Sequence, residues 1–223
     1  MVYVRTNIIG LYPFASSCTL AYERHMAAQI DAKKIQDAVR EKYSEVSSSA
    51  EGKFNYPTGR DGAILHGYDP LIIQRMPDDL IKSFCGVGNP FSIGPLNTGE
   101  TILDVGCGIG FDLIIASGLV GENGRVCGID LTPKMAEKAK DNFRRYGVHN
   151  YDIQIAGAES IPYSNNTFDV VISNGVLNLS PLKENSFREI CRVMKAYGRL
   201  QFADIVQKED CGAACGTLEA WSN

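Results

Sequence analysis

The sequence predicts an α/β protein built on a parallel sheet with helices packed on both faces. Three observations predict it. Residues 101–130, TILDVGCGIGFDLIIASGLVGENGRVCGID, read as an apolar strand, a turn with three glycines, a helix and a second strand ending in an acid. From residue 101 onward, short apolar strands alternate with helical stretches, the pattern of a parallel sheet with helical crossovers. The chain has 223 residues, 44% of them hydrophobic, which suffices for one good core and not for two large ones.

In chain order, residues 1–25 (MVYVRTNIIGLYPFASSCTLAYERH) hold an apolar patch at 8–14 broken by Pro13, with neither an amphipathic period nor helix caps. They are expected to be a non-core extension; the patch is short for the apolar region of a secretory signal. A helix is expected from Met26, because Ile30, Ile35, Ala38 and Val39 recur at helical spacing, with Asp31 early and Lys and Arg later. The rest of residues 26–99 is loop-rich, with helical turns at 71–76 and 80–84, and is expected to cover a crevice as a lid or substrate wall. Residues 100–223 are expected to form the ligand-binding core. Its strands fall at 101–105, 125–129, 151–155, 168–173 and 199–206, and its helices at about 110–120, 132–146 and 183–195.

Composition narrows the function. A net charge of −4 and a pI near 5.4, with no basic run, argue against nucleic acid as a partner. No apolar run approaches the ~20 residues that span a bilayer. Seven scattered cysteines do not suggest a disulfide framework, so a reducing cytoplasmic setting is expected. A small molecule is the expected ligand.

The glycine turn says more. Gly106, Gly108 and Gly110 follow Asp104 at every second position, whereas a dinucleotide site keeps carboxylates away from the pyrophosphate it holds at a helix N-terminus. An acid beside the turn suits a cation. Asp130, ending the second strand, is placed to accept hydrogen bonds from ribose hydroxyls. A ligand with ammonium, sulfonium and ribose groups fits both acids, and S-adenosylmethionine is such a ligand. At the ends of the next strands stand Glu159, read either as an adenine-side group or as a solvated loop acid, and Asn174, expected to face the methionine end. Asn178 reads as a helix cap. His25, His66 and His149 fall at places that do not suggest a general base.

From Met26 onward the chain resembles class I S-adenosylmethionine-dependent methyltransferases, and within them the arsenite methyltransferase group. The segments that carry the resemblance are VREKYS (39–44), GVGNP (86–90), GETILDVGCGIGFD (99–112), GIDLTPKM (128–135), GAESIP (157–162), ISNGVLNLSPLKE (172–184) and GRLQFADIV (198–206). The resemblance implies a Rossmann-like methyltransferase sheet and methyl transfer from S-adenosylmethionine to a small molecule or metalloid. The matching cofactor positions are Asp104, Gly106, Cys107, Gly108, Gly110, Asp130, Leu131, Ala158, Glu159 and Asn174. Arsenite methyltransferases hold trivalent arsenic through thiolates, as suits a soft ion, but two positions at which the group carries cysteine are here Val87 and Gly175. Cys211 and Cys215 are spaced as a pair on one helical face, to be read as soft-ion ligands or as small packed thiols. Tyr43 is open to two readings, a cap on the transfer site or a packed helix residue.

Only 17 residues follow the fifth expected strand. The sheet is therefore expected to lack its C-terminal strands and to be truncated, at a point where related proteins continue with a cysteine; a UGA codon decoded as selenocysteine is one explanation. An uncovered fifth strand would invite a homodimer through the sheet edge. Alternatives to arsenite as acceptor are a thiol or quinone-type molecule. A non-catalytic S-adenosylmethionine-binding protein and a nicotinamide-dependent oxidoreductase are the rivals from other classes.

Overall fold

The structure, a computed structural model, describes residues 3–10 and 32–206. Its centre is strand β2 (Thr101–Val105), buried along nearly its whole length. β3 (Arg125–Asp130) and β4 (Tyr151–Ile155) lie in parallel on one side. On the other side β2 pairs with β5 (Phe168–Asn174), which in turn pairs with β6 (Met194–Val206), both in parallel. Leu103 stands opposite Cys127 on one side and Val171 on the other. The strand order reverses at β2, so a crevice opens beyond the carboxyl ends of β2 and β5, where α/β sheets bind ligands.

Alternation along β2 divides two cores. Ile102 packs into one with Leu113, Met135 and Phe143, contributed by α5 (Phe111–Val120) and α6 (Pro133–Arg145). Leu103 and Val105 pack into the other with Ile190 and Val193 of α7 (Lys183–Val193). α6 forms because Met135, Ala136, Ala139 and Phe143 make one apolar stripe, with Pro133 pre-set at its first turn and Arg144 and Arg145 at its last.

The N-terminal helix α1 (Ala32–Val46) buries Ile35, Val39 and Val46; Ile30 lies outside the described residues. Between it and β2, short helices α2 (Gly59–Leu65), α3 (Pro70–Arg75) and α4 (Asp78–Ile81) build the covering segment. Sequence patterning finds two of these and reads α2 as loop, because GRDGAIL carries two glycines. Among the described residues no helix is long and apolar enough to cross a membrane.

Two expectations change. Tyr3–Gly10, set aside with the extension at 1–25, is an edge strand, β1, antiparallel to β6 from Tyr3↔Val206 to Gly10↔Arg199. YVRTNIIG is rich in β-branched and aromatic residues and suits a strand, a signal that a search for helical period and caps passes over. The outer edge of β6 is consequently paired within the chain, so the bare edge expected to recruit a second copy is absent there. The remaining residues of the extension and the C-terminal stretch at 207–223, with Cys211 and Cys215, lie outside the described residues.

The connection from β4 to β5 crosses the sheet without a helix. Arg192 of α7 holds it, donating to the carbonyls of Tyr163 and Ile161 at 2.8 Å each, while Glu189 accepts from Ile161 N at 2.8 Å and pairs with Arg192. Ala158 and Ile161 are buried beneath this clamp. The clamp delivers residues 156–159 to the crevice.

Candidate functional site

The turn after β2 uses each glycine differently. Gly110 (φ +85°) starts α5 in the left-handed conformation, and a Cβ there would lie 2.9 Å from the Phe143 ring. Gly106 (φ +80°) lets Val176 lie against it, with a Cβ reaching within 2.3 Å of that side chain. At Gly108 (φ +53°) nothing lies within 4 Å of a Cβ. Bare backbone therefore meets open space at Gly108, the surface against which a flat ligand can lie.

The turn's donors are already engaged. Gly106 N and Cys107 N both donate to Ile129 O, at 2.8 and 2.9 Å, and Gly110 N donates to Cys107 O at 2.8 Å. Gly108 N donates to the Asp130 carboxylate at 2.9 Å. A pyrophosphate would find these four amides occupied, which weighs against the dinucleotide alternative.

Two buried carboxylates, Asp104 and Asp112, and the half-buried Asp130 converge on the turn. Asp104 is 3% exposed, and among the described residues no hydrogen bond reaches its carboxylate. Burial, with Asp112 and Asp130 nearby, pushes it well above the usual carboxylate range. Asp112, in the first turn of α5, accepts from the Tyr68 hydroxyl at 2.7 Å and from Asn174 Nδ2 at 3.1 Å; burial lifts it to about 6 against those two hydrogen bonds. Asp130 accepts from Gly108 N and, at 2.8 Å, from Thr132 N, and burial again raises it to about 6.

Asn174, at the end of β5, does more than face a ligand. Its Oδ1 accepts from Val87 N at 2.8 Å and Gly88 N at 3.2 Å, and its Nδ2 donates to Gly88 O at 2.9 Å and the Tyr68 hydroxyl at 3.1 Å. A Cβ on Gly86 would sit 2.3 Å from that Nδ2. The amide thus latches the 86–88 loop onto the sheet. Glu159 accepts from the Ser180 hydroxyl at 2.6 Å, which makes it a bonded wall group and not a solvated loop acid.

One crevice, about 1030 Å³ with its mouth included, is lined by Asp104, Gly106, Cys107, Gly108, Asp130, Leu131, Ala158, Glu159 and Asn174, all expected from the sequence. Gly110 does not line it and acts by letting α5 start against α6. Cys107 is buried and raised by desolvation, its Sγ standing 2.8 Å from where a Cβ on Gly128 would be, so it is a packed thiol. The crevice is also lined by Val39 and Tyr43 of α1, Cys85, Val176, Leu179, Ser180 and Pro181. Tyr43 lines the crevice and packs on Phe54, ring centroids 6.2 Å apart. Burial pushes the Cys85 thiol up to about 12. Tyr68 and Asp112 escape the sequence analysis; the signal available was an acid two residues past the last glycine of the turn.

Comparison with known proteins agrees with this geometry. Residues 96–222 match the family described as Methyltransferase domain. The arsenite methyltransferase of Halobacterium salinarum is 32% identical over 196 residues, covering 82% of this chain and 50% of that one. The ubiquinone/menaquinone biosynthesis C-methyltransferase UbiE of Klebsiella pneumoniae is 39% identical over 104 residues, 46% of this chain and 41% of that one. The chain spans about half the length, or less, of these curated relatives. Among solved structures, CrArsM, an arsenic (III) S-adenosylmethionine methyltransferase from Chlamydomonas reinhardtii, is 32% identical with a TM-score of 0.51, over 67% of this chain and 50% of that one.

Proposed function

The chain belongs to the methyltransferase domain family, and we propose on that footing that its crevice holds S-adenosylmethionine and directs the methyl group to a small, soft acceptor, arsenite first among candidates. The observation that carries this is the pairing of bare backbone at Gly108 with acids at a turn whose four amides at Gly106, Cys107, Gly108 and Gly110 are already bonded. Such a site fits a ligand bearing positive charge and ribose hydroxyls, and does not fit a pyrophosphate.

Asp104 and Asp112 would hold the cationic end, Asp130 the ribose, and Leu131 and Ala158 the faces of the base, with Glu159 at its edge. When bound, S-adenosylmethionine supplies a methyl group on a sulfonium, an electrophile that needs no further activation. The chain's part is to position the acceptor and exclude water. That matches a crevice whose described lining contains no histidine.

The acceptor is narrowed by two positions. Val87 and Gly175, where the resemblance leads one to expect cysteines, face each other: a Cβ on Gly175 would meet the Val87 methyls at 3.4 Å. Gly175 has φ +73°, unfavourable for cysteine. These features favour, as a second reading, a small organic acceptor of the quinone type, and the likeness to UbiE supports it.

Calorimetry with S-adenosylmethionine followed by turnover with arsenite and with a hydroquinone tests the proposal. Binding with arsenite methylation supports the first reading, and binding with hydroquinone methylation the second. Binding without turnover of any acceptor would turn the assignment to a non-catalytic cofactor-binding protein. Absence of binding would overturn the cofactor assignment itself.

A further inference from the structure

The crevice is lopsided in charge. Four carboxylates line it, Asp104, Asp112, Asp130 and Glu159, and among its described lining residues there is no lysine, arginine or histidine. Two cations of the neighbouring α1 are engaged elsewhere: Arg40 donates to Leu131 O at 3.4 Å and pairs with Asp37 at 3.2 Å, and Lys42 Nζ stands 4.5 Å over the Phe54 ring, its charge partly offsetting the upward push on Cys85. The amides of Gly106, Cys107, Gly108 and Gly110 are already bonded. The positive end of α5 carries Asp112 in its own first turn. Asp104 adds a buried carboxylate, 3% exposed, that no described hydrogen bond reaches.

We infer that the acceptor wall formed by Val39, Tyr43, Cys85, Val176, Leu179 and Pro181 admits acceptors only in uncharged or cationic form, and excludes those bearing carboxylate, phosphate or sulfonate groups. This rests on the crevice being the cofactor and acceptor site. With the cofactor bound, an anion entering it would leave water for a low-dielectric space in which the cofactor's single net positive charge already faces the acids of the lining, and to which the described lining adds no cation.

The transfer itself favours the same class. The acceptor's lone pair forms the new bond to carbon while the carbon–sulfur bond breaks, its electron pair remaining on sulfur. With a neutral acceptor the positive charge moves from sulfur to the acceptor, which can later lose a proton to water. The acids then face one net positive charge before and after the transfer. An anionic acceptor would extinguish that charge and leave them uncompensated.

The test is fluorescence quenching of a single tryptophan placed in the wall, Tyr43→Trp in a Trp221→Phe background. Its quenchers are acrylamide (neutral), caesium (cationic) and iodide (anionic) at a fixed ionic strength of about 0.1 M. Each constant is normalised to that of free N-acetyltryptophanamide. The expected result is an iodide constant at least about fivefold below that of acrylamide, with caesium not disfavoured, and recovery of iodide access in Asp112→Asn/Glu159→Gln. Iodide within about twofold of acrylamide would overturn the inference. Leu179→Trp, at a half-buried position of the same wall, repeats the measurement should Tyr43→Trp fold poorly. Calorimetry with S-adenosylmethionine on the unsubstituted protein keeps the two failures apart. Cofactor binding with free iodide access sinks the inference alone, and absent cofactor binding sinks the assignment on which it rests.

Discussion

Asp104 is the residue whose replacement should separate binding from stability. It is buried among like charges, so Asp104→Asn removes both a desolvation cost and repulsion from Asp112 and Asp130. The variant should melt at a higher temperature than the parent while binding S-adenosylmethionine at least about tenfold more weakly, read by thermal unfolding and calorimetry. A loss of both together would mean that the carboxylate holds the fold and not the ligand. Asp112 and Asp130, each raised to about 6, add a pH signature. Raised carboxylates bind more protons folded than unfolded between about pH 4 and 6, so the ligand-free protein should lose stability as pH rises through that window. Cofactor affinity should run the other way, falling as pH drops below about 6, because the protonated acids no longer attract a cation. Asp104, Gly108 and Asp130 are legible in the sequence because local spacing places an acid and a glycine at a strand end. Tyr68 and Asp112 are not, since their partnership spans 44 positions and no local pattern announces it.

At the scale of single elements, two connections hold the crevice open in its observed shape. Asn174→Ala would leave Val87 N and Gly88 N without their acceptor, a loss of about 2 kcal/mol. Amide exchange should accelerate at those two positions more than across β5. If exchange rises evenly through the sheet, Asn174 is a general core residue and not a loop latch. Arg192→Ala removes three tethers to the 156–167 connection. It should weaken cofactor binding through Ala158 and Glu159 although Arg192 itself stands outside the crevice, again measurable by calorimetry. The strands and α5 to α7 are visible in the sequence because period and glycine boundaries agree there. α2 is hidden by its two glycines. The latch is hidden because Asn174 looks, from its neighbours alone, like a ligand-facing residue.

For the molecule as a whole, the sheet is closed on one side by β1. Removing residues 1–10 should expose the outer edge of β6 and produce concentration-dependent association in sedimentation experiments beyond that of the full chain. Equal behaviour of the two would show that the edge is protected by other means. The parallel pairing of β2 with β3, β3 with β4 and β5 with β6 follows from the helix between each pair, whereas the place of β1 does not, because an antiparallel edge strand needs only a β-prone segment and a free partner.

That pairing also sets a schedule. Tyr3 is synthesised some 200 positions ahead of its partner Val206. At roughly 5–20 residues per second, about 10–40 s pass before the two can meet. Through that interval a β-prone segment stands without its mate, open to holdase chaperones or to a neighbouring nascent chain. Translation speed, and not only equilibrium stability, then decides how much of the protein reaches a closed sheet.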